Sequence, residues 1–165
     1  MMTIAELTAK MTAFSEGNLH DINHFLKVWA YAKTIGELEG LDADTQFVLE
    51  ASAIIHDIAC PLCRKKYGNT AGPYQEKEGA ILAKSFLSNT DIPENQQERI
   101  IYLVSRHHTL SEILGTDYQI LIEADYIVNA DESGYSTGNI KNFAEKYFKT
   151  KSGIKILNSI YGDFR

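Results

Sequence analysis

Histidine and aspartate residues stand at several places in this sequence where the neighbouring residues are mostly apolar. The clearest case is the pair His56-Asp57, because within residues 47–59 the only other residues that are not apolar are Glu50 and Ser52. A helix that is apolar on nearly all sides is expected to be buried. A buried imidazole beside a buried carboxylate needs hydrogen bonds, an opposite charge or a metal ion, because unpaired burial is costly.

Three further groups share this apolar setting on other predicted helices. The full set consists of His24, the His56-Asp57 pair, the His107-His108 pair and Asp125. A single inward histidine is usually a hydrogen-bonded core residue. Four groups that converge would instead bury two carboxylates, and a divalent cation offsets that cost. Imidazole and carboxylate ligands suit Mn, Fe, Co, Ni, Zn or Mg without distinguishing among them.

Two other groupings offer different sites. His20 and His24 are four residues apart, which could place two zinc ligands on one face of a helix. We expect His20 to be exposed at the start of that helix, so His24 alone is favoured. Cys60 and Cys63 form a CxxC pair, as in redox dithiols or half of a zinc site. Strands are scarce and the chain has only two cysteines, so we interpret the pair as two thiols in a loop.

Hydrophobic periodicity predicts helices along the whole chain and no convincing strand. The predicted helices span about residues 3–17, 20–38, 75–87, 118–130, 139–149 and 152–161, with two more that begin near Asp42 and Pro93 and carry the His56-Asp57 and His107-His108 pairs. The prediction is an all-α single-domain helical bundle over residues 1–165. Its motif-bearing core covers about residues 20–130, and C-terminal helices within 131–165 pack on that core.

A polar, basic stretch at residues 60–74 interrupts this helical pattern and predicts a long loop. The loop would lie on the side where the His-Asp helix ends, so Arg64 and Lys65 are candidates for contact with a substrate phosphate. The pair Asp131-Glu132 comes directly after the predicted helix that carries Asp125. We interpret these two acidic residues as a solvated helix end.

Composition limits the classes of function. The chain has 165 residues, of which 44% are apolar and 23% charged, as expected for one globular domain. A net charge of −6 argues against binding of a nucleic-acid duplex. No apolar run approaches the roughly 20 residues that cross a bilayer, and no signal peptide is visible. We therefore expect a cytoplasmic protein without a membrane partner, while homo-oligomerisation stays open.

The order His…His-Asp…Asp resembles the signature of the HD metal-dependent phosphohydrolase superfamily. The resemblance rests on three stretches, Asp21-Ile-Asn-His24-Phe-Leu-Lys27-Val28, Ala51-Ser-Ala-Ile-Ile-His56-Asp57-Ile58 and Ile122-Glu-Ala-Asp125-Tyr. It extends over about residues 20–130 and is specific in the combination of the three motifs. The fold that the resemblance implies is a helical bundle, which agrees with the hydrophobic periodicity.

The resemblance implies one divalent metal held by His24, His56, Asp57 and Asp125. In members with two metals, further histidines bind the second ion, and His107-His108 resemble those histidines. The pair could equally contact a phosphate. Those members also place a histidine just before a Gly-Ala, whereas no histidine precedes Gly79-Ala80 closely here. Glu76 could substitute as an oxygen ligand and Gln75 is a poorer one. One ion is therefore favoured over two.

The predicted activity is metal-dependent hydrolysis of a phosphate ester by an activated water. The resemblance implies nucleotides or related small phosphates as substrates. Asp57 and Lys27 are the predicted catalytic residues: Asp57 holds the ion and orients water, and Lys27 stabilises charge on the transferring group. Arg64, Lys65 and Arg106 are the predicted substrate-binding cations. One alternative is a metal- and nucleotide-binding sensor or interaction module without turnover, and another is a di-iron oxygenase.

Overall fold

The computed structural model describes residues 1–162, and throughout them the regular structure is helical. The last three residues of the predicted domain, 163–165, lie outside the described residues. The helices are α1 (Ile4–Phe14), α2 (Leu19–Glu39), α3 (Ala43–Ile55), α4 (Cys60–Tyr67), α5 (Gly72–Leu87), α6 (Glu94–Val104), α7 (Thr116–Glu132), α8 (Thr137–Tyr147) and α9 (Lys151–Tyr161). The predicted all-α helical bundle is confirmed.

Local capping explains where the first helices begin and end. Thr3 and Glu6 form a reciprocal capping box, in which Thr3 Oγ1 accepts from the Glu6 amide at 3.2 Å and Glu6 Oε2 accepts from the Thr3 amide at 2.8 Å. Asp42 caps α3 by accepting from two backbone amides. Helix α2 ends at Gly40, whose φ of 73° lies in the left-handed region that favours glycine.

Helices α2, α3 and α7 form the centre of the bundle. Helix α2 packs against both of the others, and α3 also contacts α1 and α6. The facing surfaces bury large apolar side chains such as Phe25, Ile35, Leu49, Ile54 and Tyr118. Helix α5 packs on α6, and α9 packs on α2 and α7. Residues that point from the three central helices towards one end of the bundle therefore meet inside the protein.

The central stretch of the chain is unusually apolar. Within the described residues, Ala43–Tyr67 is the one helical stretch long and apolar enough to cross a membrane, and 72% of its apolar window is buried inside the protein. A buried core helix of a globular protein has the same composition. Its burial here follows from its position between α1, α2, α6 and α7.

The prediction of a long loop at residues 60–74 is wrong, because α4 covers its first half. Pro61 stands in the first turn, where its missing amide proton costs no hydrogen bond, and the following Leu, Arg and Lys residues favour helix. The helix ends at Gly68, with a φ of 72°. Cys60 and Cys63 are free and buried in this helix rather than in a loop, and burial raises the pKa of the Cys60 thiol far above its usual range.

The pairs His56-Asp57 and His107-His108 lie in the turns after α3 and α6. The prediction had placed them inside those helices. Helix α3 ends at Ile55 and α6 ends at Val104. His56 keeps a helical backbone, with φ −55° and ψ −38°, so the apolar periodicity continues past the last helical hydrogen bond. That continuity explains why the sequence pattern extended both helices too far.

Candidate metal centre

Four side chains from three parts of the bundle meet at one point. His24 comes from the middle of α2, His56 and Asp57 from the turn after α3, and Asp125 from α7. The Nε2 atoms of His24 and His56 are 3.2 Å apart. His24 Nε2 lies 3.2 Å from Asp57 Oδ2 and 3.2 Å from Asp125 Oδ1, and His56 Nε2 lies 3.5 Å and 3.4 Å from the same two oxygens.

The other ring nitrogen of each histidine is bound to the protein. His56 Nδ1 lies 2.7 Å from the carbonyl oxygen of Ala53, which can only accept. His24 Nδ1 lies 2.7 Å from Oε2 of Glu132. Both imidazoles therefore carry a proton on Nδ1, and their neutral forms direct an Nε2 lone pair into the cluster. Four acceptor atoms then face one another in the interior, which requires a positive charge between them.

The electrostatics of the metal-free protein show the same need. Burial opposes protonation of His24, but hydrogen bonds and charge from Asp125 and Asp57 outweigh it and raise its pKa to about 11. Burial likewise opposes charge on Asp57 and Asp125, yet the neighbouring histidines hold the pKa of both carboxyl groups below the usual range. The two carboxylates thus stay ionised and draw a positive charge into the cluster.

The spacing of these four atoms fits a bound divalent ion. Ligand atoms at about 2.1 Å from one ion are separated by about 3.0–3.4 Å in octahedral or tetrahedral arrangements. The separations that involve the two histidine nitrogens, 3.2–3.5 Å, lie in the upper part of that range or just above it. The ligand atoms of His24, His56 and Asp57 all lie within 4.8 Å of one another, and Asp125 adjoins this group through the two histidines. Mixed nitrogen and oxygen donors suit the metals predicted from the sequence.

A second group of potential ligands adjoins the first. Asp57, His107 and His108 place one ligand atom each within 4.8 Å of one another. His107 donates from Nδ1 to the Val104 carbonyl at 2.9 Å and directs Nε2 to Oδ1 of Asp57 at 3.4 Å. Asp57 therefore directs Oδ2 to the first group and Oδ1 to the second group. Desolvation of the ring by its neighbours, together with the adjacent His107, lowers the pKa of His108, which leaves its imidazole neutral near pH 7 although the residue is exposed.

A comparison with protein-family models decides the family. The HD domain model matches residues 21–132, which is more than half of the chain. The chain belongs to the HD domain family. Searches among curated proteins and among solved structures found no match. The matched range contains all four residues of the cluster, and HD domains are commonly metal-dependent phosphohydrolases.

This HD domain has Gln75, rather than Glu76, beside the cluster. Gln75 lines the same cavity as His24 and Asp57. Its Nε2 donates to the Thr70 carbonyl at 2.7 Å, which fixes the amide orientation and leaves the buried Oε1 without a hydrogen-bond partner among the described residues. The carboxyl group of Glu76 is engaged elsewhere, since it accepts from the backbone of His108 and from Thr109.

One of the four predicted cations lines a cavity beside the cluster. Arg64 lines the cavity in front of it but is paired with Asp21. Lys27 is half exposed and binds Glu132 at 3.2 Å, and Lys65 is exposed. Arg106 lies over the ring of Tyr102, with its guanidinium carbon 5.2 Å from the centroid. Only Arg64 is thus brought to the cavity, while catalysis by Lys27 and binding by all three arginine and lysine candidates stay predictions.

Glu132 has a place in this site that its sequence position did not indicate. Its side chain is only 13% exposed, and it contacts both His24 and Lys27. The interpretation as a solvated helix end is therefore wrong for Glu132, whereas Asp131 is exposed. A contact across 108 residues of sequence leaves no local pattern. One signal was available: Glu132 follows Asp125 by seven residues, so both project from one face of α7.

Two cavities adjoin the cluster. The front cavity, of about 180 Å³, is lined by His24, Asp57, Gln75 and Arg64 among others. The side cavity, of about 360 Å³, runs from His107 and Asp125 to the aromatic residues around α8. Both cavities include His108, Asp125 and Asn129. A larger groove of about 920 Å³ follows α1 and contains no residue of the cluster.

Proposed function

We propose that this HD domain is a metal-dependent hydrolase of small phosphate esters, with nucleotides or related compounds as the substrate class. The observation that carries the proposal is the convergence of two imidazole nitrogens and two carboxylate oxygens beside two cavities, with each nitrogen 3.2–3.5 Å from the other three atoms. His24, His56, Asp57 and Asp125 would hold the ion. A bound divalent ion supplies Lewis acidity, which polarises a phosphoryl oxygen and lowers the pKa of water.

The residues of the chain have separate tasks in this proposal. Asp57 orients the attacking water, because its Oδ1 faces the second group of ligands while Oδ2 belongs to the first. The water oxygen forms a bond to phosphorus as the ester P–O bond breaks, and the leaving oxygen takes a proton to depart as an alcohol. Gln75 Oε1 accepts a hydrogen bond from a group in the front cavity, since it has no partner among the described residues.

The charge at the site predicts that phosphate binding depends on the ion. Asp57, Asp125 and Glu132 lie within a few ångströms of His24, and Arg64 at the front cavity is neutralised by Asp21. A phosphate dianion is repelled by such a site unless a divalent ion offsets its charge. We therefore expect substrate binding, and not only turnover, to require the metal.

The experiment that tests the proposal pairs metal analysis of the purified protein with phosphate release from a panel of nucleotides. We expect a bound or readily acquired divalent metal, and phosphate release that Asp125→Ala removes together with the metal. A wild-type protein that holds no divalent metal and gains none on soaking would overturn the proposal. Metal and nucleotide binding without phosphate release from any compound would instead favour the sensor function.

One observation supports a second candidate function. Asp57 faces both ligand groups, and His107 and His108 could complete a second ion site. Two irons at such a site would support oxidation by dioxygen. Oxygen consumption by the iron-loaded protein, together with no release from phosphate esters, would establish the oxygenase. The cytoplasmic location stays an expectation.

A further inference from the structure

The side cavity differs from the metal cluster in its chemistry. Its outer walls are aromatic: Tyr126 and Phe143 stack at 3.7 Å between ring centroids, and Tyr135 lies 5.5 Å from Tyr126. Tyr135 is 37% exposed, so part of its ring is open to a ligand. Tyr135, Asn139 and Phe143 all lie beyond residue 132, where the HD match ends. The outer wall of this cavity therefore comes from residues outside the matched family region, while its inner wall, with His107 and Asp125, lies inside that region.

Two asparagines give the cavity hydrogen-bonding groups without charge. Asn139 accepts the hydroxyl proton of Tyr126 on Oδ1, so its Nδ2 can donate to a ligand. Asn129 donates from Nδ2 to Asp125 Oδ1 at 2.9 Å, which leaves its Oδ1 as an acceptor. Among the described residues, Asn139 Nδ2 donates no hydrogen bond and Asn129 Oδ1 accepts none. Asn129 lines both cavities, so it stands where a ligand would pass from one to the other.

The distribution of charge indicates where each end of a substrate would bind. Among residues 1–162, no lysine or arginine lines the side cavity, and the carboxylate of Asp125 stands at its inner end. An anionic phosphate is unfavourable there and belongs at the metal cluster. An uncharged planar ring with hydrogen-bonding groups fits the aromatic walls and the two amides.

We propose that the side cavity binds an uncharged heteroaromatic ring of the leaving alcohol, so that the substrate is a phosphate monoester carrying one such ring. The proposal rests on the proposed phosphohydrolase function and adds its specificity. The cavity volume of about 360 Å³ is near the lower end of the range for small-molecule sites. A cavity of this size accommodates one heteroaromatic ring with its sugar, but not two such rings. Tyr135 and Asn139 are the specificity-determining residues.

A matched pair of substrates tests this assignment. The four common nucleoside 5′-monophosphates share their leaving hydroxyl with methyl ribofuranoside 5-phosphate, which has a methoxy group in place of the base. We expect kcat/KM at least about tenfold higher for one or more of the nucleotides, because stacking on an aromatic side chain is lost without the base. Equal kcat/KM for all five compounds would overturn the proposal and leave the hydrolase function standing.

Variants of two residues of the side cavity test whether the preference for a base arises there. Tyr135→Ala and Asn139→Ala should lower kcat/KM for the preferred nucleotide about tenfold and leave the methyl ribofuranoside phosphate unchanged. Phe14→Ala, with a similarly exposed aromatic ring on α1, and Asn142→Ala, one turn along α8, are the controls. Equal losses in the controls and in the test variants would contradict a role for the side cavity.

A binding measurement separates this proposal from the hydrolase function. Metal-free protein titrated with the nucleoside, followed by NMR, should show shifts for residues of the side cavity, and Tyr135→Ala should weaken the binding. Absence of binding by all four nucleosides would overturn the ring site. Nucleoside binding without hydrolysis of any phosphate would support the ring site and contradict the hydrolase.

Discussion

His24 and His56 each use Nδ1 for a contact with the protein, and this determines what Nε2 can do. His56 donates to a backbone carbonyl, while His24 contacts the carboxyl group of Glu132. Such contacts orient metal-binding imidazoles and raise their basicity. The Glu132 contact is the more informative of the two, because a side chain can be changed without disturbing the backbone.

Replacement of Glu132 by Gln should weaken metal binding about tenfold or more, because the amide keeps the size of the side chain but removes the charge that supports His24. A chelator-competition titration with Mn²⁺ or Zn²⁺ measures this. Asp131→Asn is the matched control, since Asp131 is the exposed neighbour on the same helix. Equal affinities for the two variants would show that Glu132 does not support the site.

Metal binding should release protons and strengthen as pH rises. The carboxylates of Asp125 and Asp57 raise the pKa of His24 to about 11 against burial, so the metal-free protein carries this proton at pH 7 and a metal must displace it. The two carboxylates release none, because their pKa values lie below the usual range. Asp57 and Asp125 also raise the pKa of His56 against burial, so the apparent affinity should rise at least about tenfold per pH unit between pH 6 and 8.

Calorimetry in buffers of different ionisation enthalpy measures that release directly. A binding enthalpy that varies with the buffer gives the number of protons displaced from the protein. The same enthalpy in every buffer, with an affinity independent of pH, would contradict the assignment of a protonated His24 in the metal-free state.

The sequence indicated the four cluster residues because each interrupts an apolar pattern, and such interruptions are local. The contribution of Glu132 was not accessible in this way, because its partner His24 is 108 residues away. The same limit applies to Gln75 and Glu76. Neighbours in sequence, they project in different directions, and only the placement of α5 against the turn at His108 shows which one faces the cavity.

At the scale of elements, α7 supplies Asp125 and Glu132 to the site and is mostly buried. Its position depends on Glu123, which is 0% exposed and ties α7 to the start of α9. Glu123 accepts hydrogen bonds from the backbone amides of Lys149 and Thr150 at 2.7 and 3.0 Å, from the Thr150 hydroxyl, and from Gln119 at 2.8 Å. The start of α9 thereby holds α7 in place.

Replacement of Glu123 by Ala should destabilise the fold by about 3 kcal/mol, because several buried donors lose their acceptor. Urea denaturation measures the change through the midpoint at constant slope. Glu98→Ala on the exposed face of α6 is the control and should change stability by less than about 0.5 kcal/mol. A midpoint for Glu123→Ala equal to that of the control would show that this network does not stabilise α7.

Helix positions were predictable where caps and periodicity agree, as at Thr3, Asp42 and Gly40. They were not predictable at α4, where turn-forming residues after Tyr67 concealed a helix of eight residues. Nor were the ends of α3 and α6, because apolar burial continues through the turns that follow them. Tertiary packing decides those boundaries, since the histidines there bond to carbonyls three residues earlier.

For the molecule as a whole, metal binding should couple the three central helices, since the proposed ligands come from α2, the turn after α3, and α7. Saturation at 100 times Kd contributes about 2.7 kcal/mol to the free energy of unfolding, which corresponds to a rise in Tm of about 5–10 °C. Thermal unfolding with and without metal tests this. Asp125→Ala should abolish the rise, and an equal rise in that variant would indicate a different site.

The central claim is that one divalent ion binds between the Nε2 atoms of His24 and His56 and the carboxylates of Asp57 and Asp125. Anomalous diffraction from crystals soaked in MnCl₂ tests it most directly. The account predicts a strong anomalous peak within about 2.3 Å of all four side chains. A peak only at another place in the molecule, or none at saturating Mn²⁺, would contradict it.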